Sequence, residues 1–481
     1  MISRLLSKYK ALSKPAKASL WFIACYVIQR GLQFIGMPIY TRIMSTEEYG
    51  IYSVFLSWFN LICVFSSLNI YSGTFNKAMV KYEEDRDSYI SSVLWLTIIS
   101  SLVFCGFLIA FQGFIQEHTG YGIKYILLMC VHLLMFPPLQ YWAQKQRFLF
   151  EYKKLVIITL LNSVASLGFG IVFVLLSSDK SYSLVLATVV VQASINIFIC
   201  VSLAYKGKTF YKAEYWKWST LTALPLIPHY LSEILLGHAD RLMIDQMCGA
   251  SQAGIYNIVY QISMVMTIIR SGINGSFTPW LYYSLKAGNY KDIRSITKLI
   301  TLFMGTLTFL FMLIGPEILR IAAPPSYYEA VVGIPAIMIG CFFIFVYVLF
   351  LNVEIYFEQN QYVAIASIAA AIINVLLNYI CISKFGYLAA AYTTMISYML
   401  MAIMHYYFML RIIKHNKEIK EVFDVRFILL ISIILILFGL ILLKLYDFMI
   451  IRWVVILFVC VLIFINRNRI LTTIRELKRR D

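Results

Sequence analysis

Charge is scarce in this chain, and the residues that usually carry chemistry lie apart from one another. Of 481 residues, 14% are Asp, Glu, Lys or Arg, and 6 are His. The 9 cysteines, at 25, 63, 105, 130, 200, 248, 341, 381 and 460, stand singly inside or at the ends of apolar runs, with no CxxC. They read as small buried side chains and not as disulfides or metal ligands. Metal-spaced His/Cys clusters, a GxxxxGK(S/T) phosphate cradle and a GxSxG nucleophile elbow are all missing from the sequence. No resident metal or cofactor is therefore expected, and no motif-borne enzyme is indicated.

Apolar sequence is what the chain has in excess. At 61% hydrophobic residues it exceeds an ordinary soluble domain, which is closer to half. Apolar runs of 18 or more recur along the chain, each long enough to cross a hydrocarbon layer about 30 Å thick as a helix. Backbone groups find no water there, so helices are the expected spanning element; a β-barrel would alternate apolar and polar residues. Fourteen spans are expected, centred near residues 30, 62, 100, 132, 165, 193, 232, 265, 305, 341, 371, 398, 435 and 457. The last is short and needs Phe448 to Ile451 as well, with Arg452 snorkelling to the surface. The basic N-terminus (Arg4, Lys8, Lys10, Lys14, Lys17) runs into the first span without a small-residue cleavage site, which reads as an uncleaved helix.

A net charge of +17 invites a nucleic-acid partner until the basic residues are placed. With the N-terminus taken as cytoplasmic, 31 Lys and Arg fall on that side and 7 on the other. That bias is the positive-inside rule, with both termini cytoplasmic, and it makes the charge a topology signal and a contact for anionic lipid. Nucleic acid is excluded as a partner on this ground. Three arginines are left over, Arg30, Arg241 and Arg270, all within expected spans. A charge at such depth is costly unless it faces a cavity or a partner, so each is a candidate functional residue.

A short elbow occurs twice. Thr41 to Phe55 reads TRIMSTEEYGIYSVF and Gly249 to Ile262 reads GASQAGIYNIVYQI, so that Gly254-Ile255-Tyr256 stands 204 positions after Gly50-Ile51-Tyr52. Leu161-Asn162 and Ile373-Asn374 each follow a Gln-rich turn at a similar offset of 212. Two parallel six-helix halves follow, residues 1–206 and 207–416, with a cleft between them. Residues 417–481 supply two further helices and a basic cytoplasmic tail. Glu47 and Glu48 read as solvated turn residues, and Gly50 and Gly254 as the points where the chain re-enters the bilayer.

The polar residues inside spans supply the site candidates. In Pro225 to Asp245, His229, Glu233 and Asp240 are spaced i, i+4 and i+11, one helical stripe with Arg241 at its edge. Pro225 and Pro228 should bend or unwind its start. The stripe is either a cavity wall that meets substrate or a coupling ion, or an end where Asp240 and Arg241 neutralise each other or their neighbours. Span one adds Gln33 beside Arg30, and span eight a Ser263, Thr267, Arg270, Asn274 stripe. Arginines in a lumen suit a phosphate-bearing substrate through charge-assisted hydrogen bonds. Glu354 and His132 read as packing or helix-end residues.

Pro38-Ile39-Tyr40-Thr41-Arg42-Ile43-Met44-Ser45-Thr46-Glu47-Glu48-Tyr49-Gly50-Ile51-Tyr52, Ala239-Asp240-Arg241-Leu242-Met243-Ile244 with Ala253-Gly254-Ile255-Tyr256, and Phe277-Thr278-Pro279-Trp280 resemble the polysaccharide-repeat flippases of bacterial surface-glycan pathways. The resemblance runs from about residue 15 to 410. It implies an all-α polytopic membrane protein with the multidrug/oligosaccharidyl-lipid/polysaccharide exporter fold, and alternating access. The implied activity moves an undecaprenyl-diphosphate-linked oligosaccharide, for O-antigen, lipopolysaccharide or another surface glycan, across the bacterial inner membrane, with polysaccharide polymerase and chain-length proteins as partners. Arg30, Arg241, Arg270, Gln33 and Asn274 are then the expected substrate contacts. Glu233, Asp240 and His229 are the candidates for coupling to H+ or Na+. A lipid II flippase, a multidrug antiporter and an integral glycan polymerase or ligase are the alternatives, the last disfavoured by a nearly bare outer side.

Overall fold

The computed structural model describes residues 13–415 and 421–465. The basic residues Arg4, Lys8 and Lys10 and the tail past residue 466 lie outside the described residues. No strand occurs among the described residues, and each of the fourteen expected centres falls inside a helix. The long helices are α1 (Lys14–Ile43), α2 (Thr46–Ser66), α5 (Arg86–Ala110), α7 (Ile123–Phe148), α8 (Tyr152–Leu176) and α9 (Lys180–Gly207), then α11 (Ile227–Cys248), α12 (Ala250–Lys286), α13 (Tyr290–Leu313), α15 (Ile334–Tyr356), α16 (Asn360–Phe385), α17 (Ala389–His415), α18 (Val425–Leu445) and α19 (Met449–Ile465). Shorter helices fill the connections: α3 (Ile70–Gly73), α4 (Phe75–Lys81), α6 (Gln112–Thr119), α10 (Ala213–Ala223) and α14 (Gly315–Ala322).

Eleven of these helices, among the described residues, are long and apolar enough to cross a membrane. The chain is an all-α, multi-pass membrane protein. The expected spans outside those eleven are α11, α12 and α19. Into α11 the sequence puts His229, Glu233, His238, Asp240, Arg241 and Asp245, and into α12 Arg270 with a run of Ser, Asn and Gly. Their polarity marks helices that face something other than lipid. At 17 residues, α19 is short for a span of about 20.

Two bundles form. In the first, α1 packs on α8, α7 on α9 and α5, and α9 on α8; in the second, α15 packs on α17, α17 on α16, α16 on α11, and α13 on α18. Helix α2 crosses both α11 and α12, which joins the bundles. Short α10 lies on the first bundle, where Ser219 and Tyr89 hydroxyls are 2.9 Å apart and the Trp216 indole donates to the Ser92 carbonyl at 3.0 Å. Between α10 and α11 the backbone tightens into a 3-10 turn, Leu224–Leu226, where Pro225 withholds a donor as the sequence suggests.

Arg452 does not snorkel. It is 1% exposed, donating to the Leu313 carbonyl at 2.8 Å and to Glu317 Oε2 at 2.7 Å. The end of α13 and the start of α14 supply the partners that water would have given, so the guanidinium ties α19 inward.

The elbows differ from their sequence reading as well. Gly50 is the fifth residue of α2 and Gly254 the fifth of α12, so both sit in helices and not at re-entry points. Glu48 reaches back to the Ser45 amide at 2.7 Å while Ser45 Oγ accepts from the Glu48 amide at 3.1 Å. This capping box satisfies two donors at the start of α2, and Glu47, also in the first helical turn and not in a loop, is the one of the two that stays exposed. The elbows also meet: Thr46 and Ser251 hydroxyls are 2.7 Å apart, and Gln261 donates to the Tyr49 hydroxyl at 2.7 Å.

Candidate functional site

The elbow end of the bundle interface is closed. Besides those contacts, Thr41 donates to the Ala322 carbonyl at 3.0 Å and Arg42 to the Ile321 carbonyl at 3.0 Å. Further along α12, away from the elbow, Ser271, Gly272, Gly275 and Ser276 are exposed. Small residues there leave a helix face with no apolar side chains to bury, as suits the wall of a polar cleft. A cavity of about 180 Å³ opens between α1 and α12, lined among others by Arg30, Gln33, Phe34, Gln261, Met264 and Ile268.

The three span arginines take different places. Arg30 donates to Gln33 Oε1 at 3.0 Å and approaches Met264 Sδ at 3.5 Å, so it bridges α1 to α12 at this cavity. Arg241 is 4% exposed. Its Nε donates to Ser57 Oγ at 3.1 Å, its Nη2 to the Gly237 carbonyl, and its guanidinium lies 4.6 Å from the Tyr260 ring centre. It is thus a tie from α11 across to α2. Arg270 is partly buried, and no hydrogen bond or ion pair forms to it among the described residues. It lies within electrostatic reach of Tyr347, as does Glu233.

The stripe on α11 divides. His229 Nε2 and Glu233 Oε1 are 3.9 Å apart, and the Glu233 side chain is 59% exposed. Asp240 is 2% exposed. The cause is the neighbours: Leu236 packs with Ala370, Ala371 and Met401, so α16 and α17 cover this face from Leu236 onward. Asp240 and Arg241 form no ion pair with each other among the described residues, although the guanidinium acts electrostatically on the carboxylate. Asp240 accepts from Tyr256 at 2.5 Å, from Asn378 Nδ2 at 2.7 Å and from Thr394 at 2.7 Å. Adjacent residues of one helix therefore point into different bundles.

Around Asp240 the structure gathers groups that the sequence reading did not select. Asn374 donates to Thr394 at 3.2 Å, Asn378 Nδ2 lies 3.3 Å from Asn374 Oδ1, and Thr393 donates to Asn378. All are at most 2% exposed. The i, i+4 spacing of Asn374 and Asn378 on an apolar helix was the available signal. Tyr256, Asn378 and Thr394 all donate to the Asp240 carboxylate, so the site holds an anionic oxygen pair in the interior by charge-assisted hydrogen bonds. Asn274 is held apart from this group: its Oδ1 accepts from Asn352 at 2.9 Å and Thr278 at 3.1 Å, a tie between α12 and α15. His132 lies flat on Phe59, ring centres 3.7 Å apart, a packing role as its sequence context suggests.

Comparison with known proteins supports this frame. The chain is 22% identical over 281 residues to a Lsg locus protein of Haemophilus influenzae, covering 57% of this chain and 67% of that one. The lipid II flippase MurJ in its inward closed conformation superposes with a TM-score of 0.70 at 15% identity, over 94% of this chain and 99% of MurJ. An inward-facing multidrug resistance MATE transporter of the MOP superfamily gives a TM-score of 0.59 at 14% identity, over 81% and 96%. At such identities the two structures establish a shared fold. A family model described as polysaccharide biosynthesis protein matches residues 16–284, more than half of the chain, and on that match the chain belongs to the polysaccharide biosynthesis protein family.

Proposed function

We propose that the protein is a flippase that carries lipid-linked oligosaccharide repeat units, joined through a diphosphate such as undecaprenyl diphosphate, from the inner to the outer leaflet of a bacterial cytoplasmic membrane. The observation that carries this reading is Arg270, a span arginine without a protein partner among the described residues, beside the exposed small-residue face of α12. A charge at that depth needs an anion, and a diphosphate provides one with strong charge-assisted hydrogen bonds. Arg30 and Gln33 line the mainly apolar cavity between α1 and α12 and set a second cation beside a surface that suits the lipid, whose tail need not leave the bilayer. With the elbows on the outer side, as the charge bias has it, the closed end is outward and the polar face of α12 opens inward. Alternating access then requires the elbow contacts to part.

Coupling to H+ or Na+ is assigned to the buried Asp240 carboxylate, where an arriving cation would displace the donors that now hold it. Asp240 and the tie residue Arg241 are chain neighbours, so rearranging those donors around a bound cation acts directly on the α11–α2 contact. Glu233 and His229, closer to the open side, serve entry of the ion.

Deleting the gene and analysing surface glycan tests the function. Loss of surface polymer with inward-facing lipid-linked repeat units accumulating is expected. Unchanged glycan with altered drug tolerance would refute the flippase and favour a multidrug antiporter.

A further inference from the structure

A second cavity lies beside the first elbow, and its form differs from that at Arg30. Its volume is about 370 Å³, against about 180 Å³ there, within the range of small-molecule sites. Phe55, Trp58 and Ile62 line it from one face of α2, at i, i+3 and i+7, and Ile126 and Met129 of α7 complete the trough. Phe55, Ile126 and Met129 are buried. The rim is polar, made by His118 and Thr119 of α6 and Gln246 of α11, with His118 and Gln246 exposed. At 1.5 Å per residue, Phe55 lies about 14 Å and Ile62 about 24 Å from the start of α2 at Thr46. The apolar part therefore descends into the hydrocarbon while the rim stays at the elbow end. Apolar depth beneath a polar rim is the form of a site for an amphiphile, chain inward and head near water.

The surroundings narrow the choice of amphiphile. The cavity sits at the seam of the two bundles, bounded by α2 of the first and, through Gln246, by α11 of the second. A groove that only holds a bulk membrane lipid has no need of that position. The elbow also guards it. Phe55 ends the first elbow, its ring meets Tyr121 edge-on at 6.1 Å, and the Tyr121 hydroxyl donates to the Ile51 carbonyl at 2.8 Å. Parting of the elbow contacts, which alternating access requires, moves this wall and opens the cavity toward the cleft. Phe107 and Phe111, on either side of the lining residue Leu108, and Phe114 in the wall are exposed, so apolar surface continues from the cavity to the bilayer.

We infer that this cavity receives the polyprenyl chain of the transported lipid on the outer side, with the chain in the trough of Phe55, Trp58, Ile62 and Met129 and the diphosphate end near His118 and Gln246. The aromatic walls present wide polarizable faces to a chain whose every unit carries a double bond and a methyl branch. The inference rests on the flippase reading, since without a lipid carrier no prenyl chain arrives.

The full chain in lipid nanodiscs tests it with two photoreactive probes. One is a polyprenyl phosphate with a diazirine in its chain, the other a phosphatidylglycerol with a diazirine in an acyl chain, and the labelled peptides are mapped by mass spectrometry. Labelling of residues 55–62 and 121–129 by the polyprenyl probe, reduced by unlabelled polyprenyl phosphate and not by added phospholipid, is expected. Met129→Trp, which fills the trough, should lower that labelling about tenfold, whereas Leu127→Trp at an exposed position of α7 should leave it unchanged. Equal labelling by the phospholipid probe, or polyprenyl labelling that avoids both segments, overturns the inference without any variant having to fold. Labelling that survives Met129→Trp in full places the chain outside the trough and overturns it as well. None of these readouts uses export, so the two failures stay separate: cavity labelling by the polyprenyl probe together with unchanged surface glycan after gene deletion would keep the prenyl site and refute transport.

Discussion

Gly50 and Gly254, 204 residues apart in the chain, are in backbone contact. A Cβ placed on Gly254 would lie 2.9 Å from the Gly50 nitrogen and 2.3 Å from the Thr46 carbonyl oxygen, and one on Gly50 would lie 1.7 Å from the Ala250 carbonyl oxygen. The repeated elbow thus brings its two copies together, and glycine is required because two helices cross with no room for a side chain. Gly50→Ala must push α2 from α12, at about 1–3 kcal/mol for an overpacked site. A disulfide between cysteines introduced as Thr46→Cys and Ser251→Cys should form readily in the parent and much less in the Gly50→Ala background. Undiminished cross-linking would mean that the crossing is not held closed by the glycines.

Arg241 and Ser57 form the second tie between the bundles. A hydrogen bond to a charged group contributes about 1.5–3 kcal/mol, and a lysine ammonium at the end of a flexible stem cannot reproduce a guanidinium that reaches Ser57, Gly237 and His238 together. Both Arg241→Lys and Ser57→Ala should lower the midpoint of thermal unfolding in detergent. In a double-mutant cycle the pair should show a coupling of at least about 1 kcal/mol; simple additivity would show that the contact holds nothing together.

Asp424 gives a pH-dependent contact outside the spans. It caps α18, accepting from the Phe427 amide at 3.1 Å, and pairs with Lys298 of α13 at 2.7 Å. The Lys298 hydrogen bond, with the Phe427 amide second, holds its carboxyl below the usual carboxylate range. A lowered carboxyl stabilises the fold only while ionised, so the contribution is complete above the unfolded value of about 4 and fades as pH falls below it. The pair is exposed, which keeps it below about 1 kcal/mol. Asp424→Asn should therefore lower the unfolding temperature slightly at pH 7, with the difference from the parent vanishing in strong acid. A deficit that persists unchanged at pH 3 would contradict the ionic origin.

Which parts of this were legible in the sequence follows from the physics of each. The spans were, because twenty apolar residues in a row have few other destinations. The short helices α6, α10 and α14 were not, since eight to eleven residues of mixed polarity show no period long enough to separate them from loops. Among site residues, Arg30, Arg241 and Arg270 were found by their cost in a bilayer, and that argument flags a residue without saying what it touches. It therefore could not distinguish Arg241, satisfied by Ser57, from Arg270, which is not. Asn374, Asn378 and Thr394 escaped because neutral polar residues are common in spans, and only the fold brings them to Asp240. Arg452 was misplaced for a related reason: the carbonyl that accepts from it belongs to Leu313, 139 residues away.

That same Arg452 makes α19 testable. A buried arginine removed from a buried or half-buried carboxylate typically costs about 3 kcal/mol, because the partner is left unpaired. Glu317 retains only 19% side-chain exposure. Arg452→Ala should loosen α19 from α13 and α14 while leaving the two bundles intact, read as faster amide hydrogen exchange confined to Met449–Ile465. Exchange unchanged in that helix would show that its apolar face alone holds it.

Arg270 offers the sharpest contrast with Arg241. Truncating Arg241 removes protein contacts, so loss of activity there confounds folding with function. Arg270 has no such contacts among the described residues, and relieving a span of an unpaired charge costs the fold nothing. Arg270→Ala should accumulate to the parent level in the membrane, unfold at the same or a higher temperature, and abolish surface-glycan export. Arg270→Lys keeps the charge and loses the two-pronged geometry that matches a diphosphate, so it should restore export in part. Full export by Arg270→Ala would remove the residue from the substrate path and leave Arg30 as its principal cation; reduced protein in the membrane would instead assign Arg270 to the fold.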